Sequence, residues 1–345
     1  MKVGIFNVTS GKSVAYRDIY CSILDYNNIP WVLLEYNSSF WQDVKECDYY
    51  IHRFIGTDHD MYIARSILPV IENELNIPCY PDIKTHWTYE DKIREYFLMK
   101  TKGFPIVNSH IFFDKKTANE WVETCELPMV FKLRAGAGSS NVVLVGSRSK
   151  AKKLIRRMFG KGVSDAGIPG MSNLRFFNLK NLTKHYGIKL LTAIGRYDSW
   201  QMWSKHKNYI IFQDFMPGNE FDTRITVIGG RAFAFRRMNR KNDFRSSGSG
   251  LIDYDTQKID MRLVKLALEI SAAMEFQSMA YDFLFDKDGN PVFCEFSYTF
   301  NDKAIAACPG YWDMDLNFHE GHYWPQFLVL KDLMPGVELK QPDLV

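Results

Sequence analysis

The stretch AYDFLFDKDGNPVFCEFSY, residues 280–298, decides the fold. Two aromatic-rich runs flank Asp288-Gly289, a dipeptide typical of tight turns, so the stretch is predicted to form a β-hairpin. With the turn centred on that dipeptide, Asp282 lies directly opposite Glu295 on one face. Two facing carboxylates destabilise a sheet unless a cation lies between them, and Mg²⁺ prefers such oxygen ligands. The hairpin therefore predicts a magnesium site, with a solvent-facing acidic pair as the alternative interpretation.

A second hairpin is predicted upstream, in EFDTRITVIGGRAFAFRRM, residues 220–238. If its turn is centred on Gly229-Gly230, Asp222 lies opposite Arg237. One face then carries four charged side chains, namely Asp222, Arg224, Arg231 and Arg237. Arginine forks suit phosphate and carboxylate oxygens, and they stabilise the negative charge of a phosphoryl group in transfer. This face predicts either an anion-binding site or a solvated, charge-balanced surface.

A glycine-rich loop is predicted to bind phosphate. In MVFKLRAGAGSSNVVLV, residues 129–145, two strands flank a loop of glycine, alanine and serine at 135–140. No bulky side chain shields the amides of this loop, so it is expected to fold over phosphate groups as a flap. Lys132 alternates away from Phe131 and Leu133, and we expect it to project into the polar site. An ordinary hairpin lysine is the alternative.

The order of predicted helices and strands gives an α/β (α+β) fold in three parts. Residues 1–85 alternate strand and helix, including a helix over 60–75, which predicts a small parallel sheet with right-handed crossovers. Residues 86–207 contain a helix, the flap and an insertion at about 147–207, and residues 208–345 are rich in strands. We therefore predict an N-terminal α/β domain, a central lid subdomain and a C-terminal mixed-sheet subdomain.

The composition excludes several classes of protein. The chain has 345 residues, 46% of them hydrophobic, and a net charge of +3. So small a charge does not favour binding to nucleic acid or to an anionic membrane, and no apolar run is long enough to span a bilayer. The six cysteines include no C-x-x-C pair, and the first residues lack the apolar core of a signal peptide. We predict a reduced, cytoplasmic protein without a nucleic-acid or membrane partner.

Gly11-Lys12-Ser13 looks like the end of a P-loop but does not complete one. The motif needs a glycine five residues before Gly11, and Phe6 occupies that position. Ser10 or Ser13 is instead expected to cap the first helix. The phosphate site is therefore expected at the downstream flap.

Taken together and in this order, the small α/β domain, the flap-bearing subdomain and the carboxylate hairpin resemble the ATP-grasp superfamily. The likeness extends to RimK-type amino-acid ligases and to ATP-grasp enzymes encoded among polysaccharide-biosynthesis proteins, and it covers nearly the whole chain. It implies an ATP-grasp fold and an ATP-dependent ligase that joins a small-molecule carboxylate to an amine through an acyl phosphate. The family context suggests a sugar-linked or an amino-acid carboxylate as the substrate. The implied cofactors are ATP and two Mg²⁺ ions, with Mn²⁺ as a substitute, and a homodimer is compatible with the resemblance.

The resemblance also implies roles for individual residues. The ATP phosphates would be contacted by Lys92 and Lys132 and by the flap residues Gly136, Gly138, Ser139 and Ser140. The hinge between the two subdomains, Gln213, Asp214, Phe215 and Met216, would bind the edge of the adenine through its backbone. The ribose would be bound by Glu220 or Asp222. Arg224 and Arg237 would face the transferring phosphoryl group and the acceptor carboxylate, and Arg245 and Ser247 would lie near the acyl phosphate. Asp282 and Glu295 would hold Mg²⁺.

Two positions depart from the family pattern. Ser297 stands where the family has asparagine after the metal-binding glutamate, so either Ser297 or Asn301 is expected to complete the metal site. Ser247 stands where RimK-type enzymes have asparagine near the acyl phosphate.

Two other activities stay open on the sequence alone. One is a kinase-type phosphotransferase that stops at a phosphorylated product, and the other is a regulatory protein that binds ATP without turnover. For a ligase or a kinase-type enzyme, Asp282→Asn or Glu295→Gln is expected to abolish ADP formation while leaving the fold largely intact.

Overall fold

The computed structural model describes residues 1–8, 12–136, 142–163, 205–241, 243–246 and 248–343. The predictions for Gly138, Ser139, Ser140 and Ser247 lie outside the described residues, as does most of the predicted insertion. The predicted helix cap at Ser10 or Ser13 also lies outside, because neither side chain is described.

A small parallel sheet forms the N-terminal part of the chain. Its described strands are β1 (Val3–Phe6), β2 (Trp31–Leu34), β3 (Tyr49–Ile51) and β4 (Cys79–Tyr80), in the order β2-β1-β3-β4. Between and after them come helices α1 (Lys12–Tyr26), α2 (Phe40–Lys45), α3 (Asp58–Pro69) and α4 (Ile83–Trp87). Every pair in the sheet is parallel, as predicted. The helical spacing of apolar residues in α1 puts Tyr16, Tyr20, Ile23 and Leu24 into the core.

The helix expected over 60–75 consists of two segments. α3 ends at Pro69, which has no amide hydrogen to continue the α-helical hydrogen bonds. The chain goes on as a π-helical turn at Val70–Glu74, closed by a 3.0 Å hydrogen bond from the Leu75 amide to the Val70 carbonyl.

The central subdomain is an antiparallel sheet with helices beside it. Its strands are β5 (Ser109–Phe112), β6 (Met129–Lys132), β7 (Val143–Val145) and β8 (Ile210–Asp214), in the order β5-β8-β6-β7. Its helices are α5 (Lys92–Thr101), α6 (Lys115–Thr124) and α7 (Arg148–Met158). The predicted flap follows β6, so that Lys132 ends the strand that enters it.

A larger sheet forms the C-terminal part. Its strands are β9 (Phe221–Ile228), β10 (Arg231–Met238), β11 (Ile252–Asp253), β12 (Ser278–Phe285), β13 (Pro291–Ser297), β14 (Gly310–Trp312) and β15 (Phe318–Glu320). They follow the order β13-β12-β9-β10-β14-β15, with β11 paired to β10. The helices are α8 (Met261–Met274), α9 (Asp302–Ala306) and α10 (Pro325–Leu333). The strand pairs described are antiparallel, and the mixed character predicted for this sheet is limited to a parallel bridge between Ile106 and Phe293.

The carboxylate hairpin has the predicted partners at its base and a different register near its turn. Asp282 pairs with Glu295, as expected, but the register then shifts and Phe283 pairs with Phe293. Cys294 is therefore the extra residue of a β-bulge, and the turn spans Asp286 to Asn290. The prediction of one regular ladder down to Asp288-Gly289 was wrong, because a bulge changes the count without changing the alternating pattern.

The two faces of the C-terminal sheet have different surroundings. On one face α8 packs against buried residues such as Ile225, Val227 and Tyr281. On the other face Ile228 and Phe233 join the core shared with the N-terminal sheet, while the opposite ends of the same strands carry the charged residues. The apolar half of this face packs against the N-terminal sheet, and the charged half carries residues of the candidate site. None of the helices in the described part of the chain has the length and apolarity to cross a membrane.

Candidate active site

A chain of alternating acidic and basic side chains crosses three neighbouring strands. Asp282 on β12 accepts hydrogen bonds from Nε and Nη2 of Arg224 on β9, at 2.7 and 2.8 Å. Arg237 on β10 donates to both oxygens of Asp222, at 2.7 and 2.6 Å, and its Nη2 lies 2.7 Å from Asp282 Oδ2. The strand registers place Arg237 opposite Asp222 and Arg224 opposite Asp282, so the pairing predicted within the β9–β10 hairpin is confirmed.

Asp282 is the central charge of this chain. Burial raises the pKa of its carboxyl, but Arg224 and Arg237 outweigh that effect and hold the pKa below its ordinary value. The pKa of Asp222 is raised, because burial and the nearby Asp282 outweigh Arg237. Of the two carboxyl groups, that of Asp282 is therefore the firmly ionised one, and it supplies the counter-charge for two guanidinium groups.

A lysine and a glutamate form the second charged group. Lys92 Nζ lies 3.2 Å from Glu295 Oε1 and donates to the Gly136 carbonyl at 3.4 Å. Burial lowers the pKa of Lys92, but Glu295, Glu90 and Glu95 outweigh it and the pKa is raised. Desolvation raises the pKa of Glu295, but Lys92 and Lys132 outweigh it and the pKa is lowered. Lys92 and Glu295 are therefore both charged, although one begins helix α5, the other lies on β13, and 203 positions separate them.

The bulge in β13 gives Lys132 its partner. Lys132 Nζ donates to the carbonyl of Cys294 at 3.3 Å. A bulge turns its backbone groups away from the regular ladder, so this carbonyl is available to a side chain from another sheet. Lys132 thereby lies beside the carboxylate hairpin, as its projection from β6 predicted.

The flap begins at Gly136, and both the amide and the carbonyl of this residue form hydrogen bonds. Its amide donates to Glu90 Oε2 at 2.7 Å, and its carbonyl accepts from Lys92. Gly136 has a φ of +120°, a backbone conformation that side chains rarely adopt, so glycine is required at this position. Glu90 was not predicted as a site residue, and no local motif marks it, because its partner lies 46 positions away.

Several of these groups line one cleft between the central and C-terminal sheets. Of the predicted site residues it brings together Lys132, Gln213, Asp214, Phe215, Met216, Asp222, Arg245, Asp282 and Glu295. Its apolar walls are Val107, Val130, Val142, Phe244 and Leu284. An apolar half joined to a charged half suits a ligand with a flat ring and an anionic tail.

The hinge lies at the end of β8, on the apolar side of the cleft. Gln213 donates from its side-chain amide to Ser109 Oγ at 3.2 Å, and Asp214 accepts from His110 at 3.0 Å. The Met216 carbonyl accepts from Asn219 Nδ2 at 3.3 Å, and Asn219 also bonds both the amide and carbonyl of Phe285. Asn219 was missed by the sequence analysis, although its place after Gly218 in a turn is a signal for such side-chain to backbone bonds.

Comparison with known proteins identifies the fold. The RimK-like ATP-grasp domain family matches residues 170–307. A RimK domain protein with an ATP-grasp fold from Sphaerobacter thermophilus superposes with a TM-score of 0.54 at 12% identity, covering 88% of this chain and 93% of that one. The chain has the ATP-grasp fold.

Two further solved structures superpose on most of the chain. D-alanine–D-alanine ligase from Bacillus anthracis complexed with ATP gives a TM-score of 0.51 at 14% identity, with 86% of each chain covered. N5-carboxyaminoimidazole synthetase from Staphylococcus aureus gives 0.57 at 10% identity, covering 99% of this chain and 78% of that one. No curated protein sequence matches the chain.

Some predicted site residues do not line the cleft, Lys92 and Gly136 among them. Glu220 is exposed, and its carbonyl accepts from the Asn239 amide at 2.9 Å. Ser297 Oγ accepts from the Thr299 amide at 3.1 Å, and Asn301 Oδ1 caps α9 by accepting from the Lys303 amide at 3.1 Å. Each of these two oxygens accepts one local hydrogen bond and keeps a second lone pair, so their role as a third metal ligand stays a prediction.

The arginines reach the cleft in two ways. Arg245 lines it directly and donates to Asp243, with Nη2 at 2.6 Å. Arg224 and Arg237 contact it through Asp282 and Asp222, which line its wall. Arg231, on the same face of the hairpin, lies at the far end and pairs with Asp332 at 2.9 Å, so it does not belong to the site.

The carboxylates fit a magnesium ion that the nucleotide helps to hold. Within the described residues, no group of three or more His, Cys, Asp or Glu side chains is placed to bind a metal. Asp282 and Glu295 nevertheless face each other at the cleft wall, and Mg²⁺ in nucleotide sites commonly takes one or two carboxylates together with phosphate oxygens and water. The chemistry of the pair therefore fits Mg²⁺ bound with ATP, and not a metal site built from protein ligands alone.

Glu95→Gln is expected to change how stability depends on pH. Glu95 is buried, and burial raises the pKa of its carboxyl well above the ordinary value, with Lys92 opposing. When the folded-state pKa of an acid lies above its unfolded value of about 4.3, its contribution to the free energy of unfolding is fully present below the unfolded value. That contribution is lost as pH rises toward the folded-state pKa. We therefore expect Glu95→Gln to flatten the fall in unfolding free energy above pH 4.5 and to stabilise by about 1 kcal/mol at pH 8.

Urea unfolding between pH 4.5 and 8.5 measures this effect. Glu120→Gln is the matched control, since Glu120 is exposed on α6 and pairs with Lys116. An unchanged pH slope in Glu95→Gln would show that Glu95 is ionised in the folded protein.

Proposed function

We propose that this chain is an ATP- and Mg²⁺-dependent carboxylate–amine ligase that forms an amide bond. The observation that carries the proposal is that Lys132, Glu295 and Asp282 line one cleft, while Lys92 pairs with Glu295 and contacts the root of the glycine-rich flap. Such a cleft concentrates positive charge around a nucleotide's terminal phosphates and keeps two carboxylates for a divalent ion. The ATP-grasp fold supports ATP as the nucleotide.

The chain's residues would divide the work by position. The hinge 213–216 would hold the adenine against the apolar wall, with Lys92 and Lys132 on the phosphates. Glu295 and Asp282 would hold Mg²⁺, which when bound neutralises charge on the phosphate oxygens. Arg245 would face the reacting end of the cleft, while Arg224 and Arg237 hold Asp282 in place.

The reaction has two balanced steps. An oxygen of the substrate carboxylate bonds the γ-phosphorus while the bond from that phosphorus to ADP breaks, which leaves an acyl phosphate. The amine nitrogen then bonds the acyl carbon, inorganic phosphate leaves with the former carboxylate oxygen, and the nitrogen loses a proton. Positioning and charge stabilisation carry the catalysis, with up to about 7–11 kcal/mol available from positioning. A flap over the site would keep water from the acyl phosphate.

An ADP-release assay over a panel of carboxylates and amines tests the proposal. A ligase releases ADP only when both a carboxylate and an amine are present. Release with one acceptor alone would identify a kinase-type phosphotransferase. ATP binding without release under any combination would identify a regulatory ATP-binding protein.

Lys132→Ala is expected to weaken ATP binding by about 10- to 100-fold. The reason is that a charged donor to phosphate contributes about 1.5–3 kcal/mol, and tenfold in Kd corresponds to 1.4 kcal/mol. Titration calorimetry with ATP and Mg²⁺ measures the change. Lys150→Ala is the matched control, because Lys150 also donates to a strand carbonyl, that of Leu144, but lies outside the cleft. Equal ATP affinity in the two variants would contradict the position of the phosphates beside Lys132.

A further inference from the structure

A half-buried arginine lies at the ligand-binding edge of the N-terminal sheet. Arg53 follows β3 by two residues, at the carboxyl end of a central strand of the parallel sheet. Ligands of such sheets bind beyond the carboxyl ends of the strands, because the loops there are free to form a site. Arg53 has no part in the nucleotide cleft described above.

Two contacts hold the guanidinium group of Arg53. Its central carbon lies 3.7 Å from the centre of the Tyr16 ring, which covers one face of the cation. One nitrogen, Nη2, donates to the carbonyl of Phe300 at 3.1 Å. A guanidinium group has five N–H donors, so these contacts leave donors along its edge for a further partner.

No acidic side chain among the described residues forms an ion pair with Arg53. Asp302, the acid next along the chain from Phe300, accepts instead from Gln326 Nε2 at 3.0 Å and from the Lys303 amide at 2.9 Å. Burial lowers the pKa of Arg53, but the hydroxyl groups of Tyr16, Tyr298, Tyr89 and Tyr80 outweigh it and the pKa is raised. The group is therefore a partly desolvated cation in an aromatic setting, and such a charge is costly without an anion.

Arg53 is connected to the proposed reaction site through the segment that follows β13. Phe300 lies five residues after Glu295, a distance of at most about 17 Å in extended chain. In that segment Thr299 Oγ1 donates to Tyr89 Oη at 3.1 Å, and Tyr89 precedes Glu90, which holds the root of the flap. Arg53 and the proposed reaction site therefore contact the two ends of one short segment, residues 295–300.

We propose that Arg53 binds a second, non-reacting carboxylate of the small-molecule substrate, so that the protein prefers dicarboxylates. This proposal rests on the proposed function, in which one carboxylate reacts beside Glu295. The planar fork of arginine matches the two oxygens of a carboxylate, and Tyr16 holds the fork in one orientation. Arg53 would thus determine specificity without touching the reacting atoms.

Four diacids and their monoamides are the probes: succinate and succinamate, glutarate and glutaramate, L-aspartate and L-asparagine, L-glutamate and L-glutamine. Titration calorimetry in the presence of ADP and Mg²⁺ measures their Kd values for the wild type, Arg53→Gln and Arg53→Lys. We expect the wild type to bind at least one diacid about tenfold or more tighter than its monoamide, since a charge-assisted bond is lost in the amide. Arg53→Gln should remove this preference, and Arg53→Lys should keep only part of it because lysine lacks the fork.

Arg262→Gln is the matched control. Arg262 also lies over an aromatic ring, that of Phe285, and donates to a carbonyl, that of Gly289, but it pairs with Asp260 on the outer surface. This variant should keep the diacid preference, and the Kd of ADP should be unchanged in all variants. If Arg53→Gln does not fold, the partial loss in Arg53→Lys carries the test. The proposal is wrong if the wild type shows no diacid preference, or if the Arg53 variants retain it in full.

The ADP-release assay separates this proposal from the ligase proposal. Diacid preference that depends on Arg53, with no ADP released by any acid and amine, would leave the anion site standing and overturn the ligase. ADP release with the same KM for the acid in wild type and Arg53→Gln would leave the ligase standing and overturn the anion site.

Discussion

Glu295→Gln is expected to lower the rate of ADP formation by about 100- to 1,000-fold. In the proposed function Glu295 helps to hold Mg²⁺, and a bound metal ion stabilises the charge of the transition state by several kcal/mol. Glu295 lines the cleft, and its side chain is 36% exposed, so its carboxylate is accessible to a divalent ion. Glutamine keeps the shape of the side chain and removes its charge. Lys92 keeps Glu90 as an acidic neighbour, so the fold should be little affected.

A coupled assay at several Mg²⁺ concentrations, together with a thermal melt, checks this expectation. Glu275→Gln is the matched control, since Glu275 also pairs with a lysine, Lys84, but is exposed on the surface and does not line the cleft. A Glu295→Gln variant that keeps a third or more of the wild-type rate would remove Glu295 from the metal site.

Asp282→Asn is expected to destabilise the protein by about 3–5 kcal/mol, the cost of leaving buried charges without their partner. Asp282 accepts from Arg224 and Arg237 and is 7% exposed, so the substitution leaves two guanidinium groups short of a counter-charge. The sequence predicted that the fold would stay largely intact, and the structure changes that expectation. Activity should also be lost, but for this residue the loss does not by itself identify a metal ligand.

Urea unfolding of Asp282→Asn and Asp222→Asn tests the unequal roles of the two acids. Asp222 pairs with Arg237, which keeps Asp282 as a second partner, so Asp222→Asn should cost clearly less. Equal destabilisation by the two substitutions would show that Asp282 is not the central charge. For Asp282 a depressed pKa also means that its contribution is present above pH of about 4 and is lost as pH falls further.

The sequence was sufficient for the parts of the site that depend on local pattern. The turn at Gly229-Gly230 and the alternation on either side place Asp222 opposite Arg237, because side chains in a strand alternate with a period of two. The same reasoning pairs Asp282 with Glu295. It fails nearer the turn of that hairpin, since the bulge at Cys294 leaves no mark in the alternation.

The amino-acid sequence by itself determined the parallel N-terminal sheet, the two charged hairpins and the glycine-rich loop, because periodicity and turn dipeptides act over a few neighbouring residues. Only the tertiary structure decided which partner each charged side chain contacts: Lys92 contacts Glu295, Glu90 the Gly136 amide, Lys132 the bulge carbonyl of Cys294, and Arg53 the carbonyl of Phe300. Each of these contacts joins residues more than 40 positions apart. They depend on how three sheets pack together, and no local pattern in the chain encodes that packing.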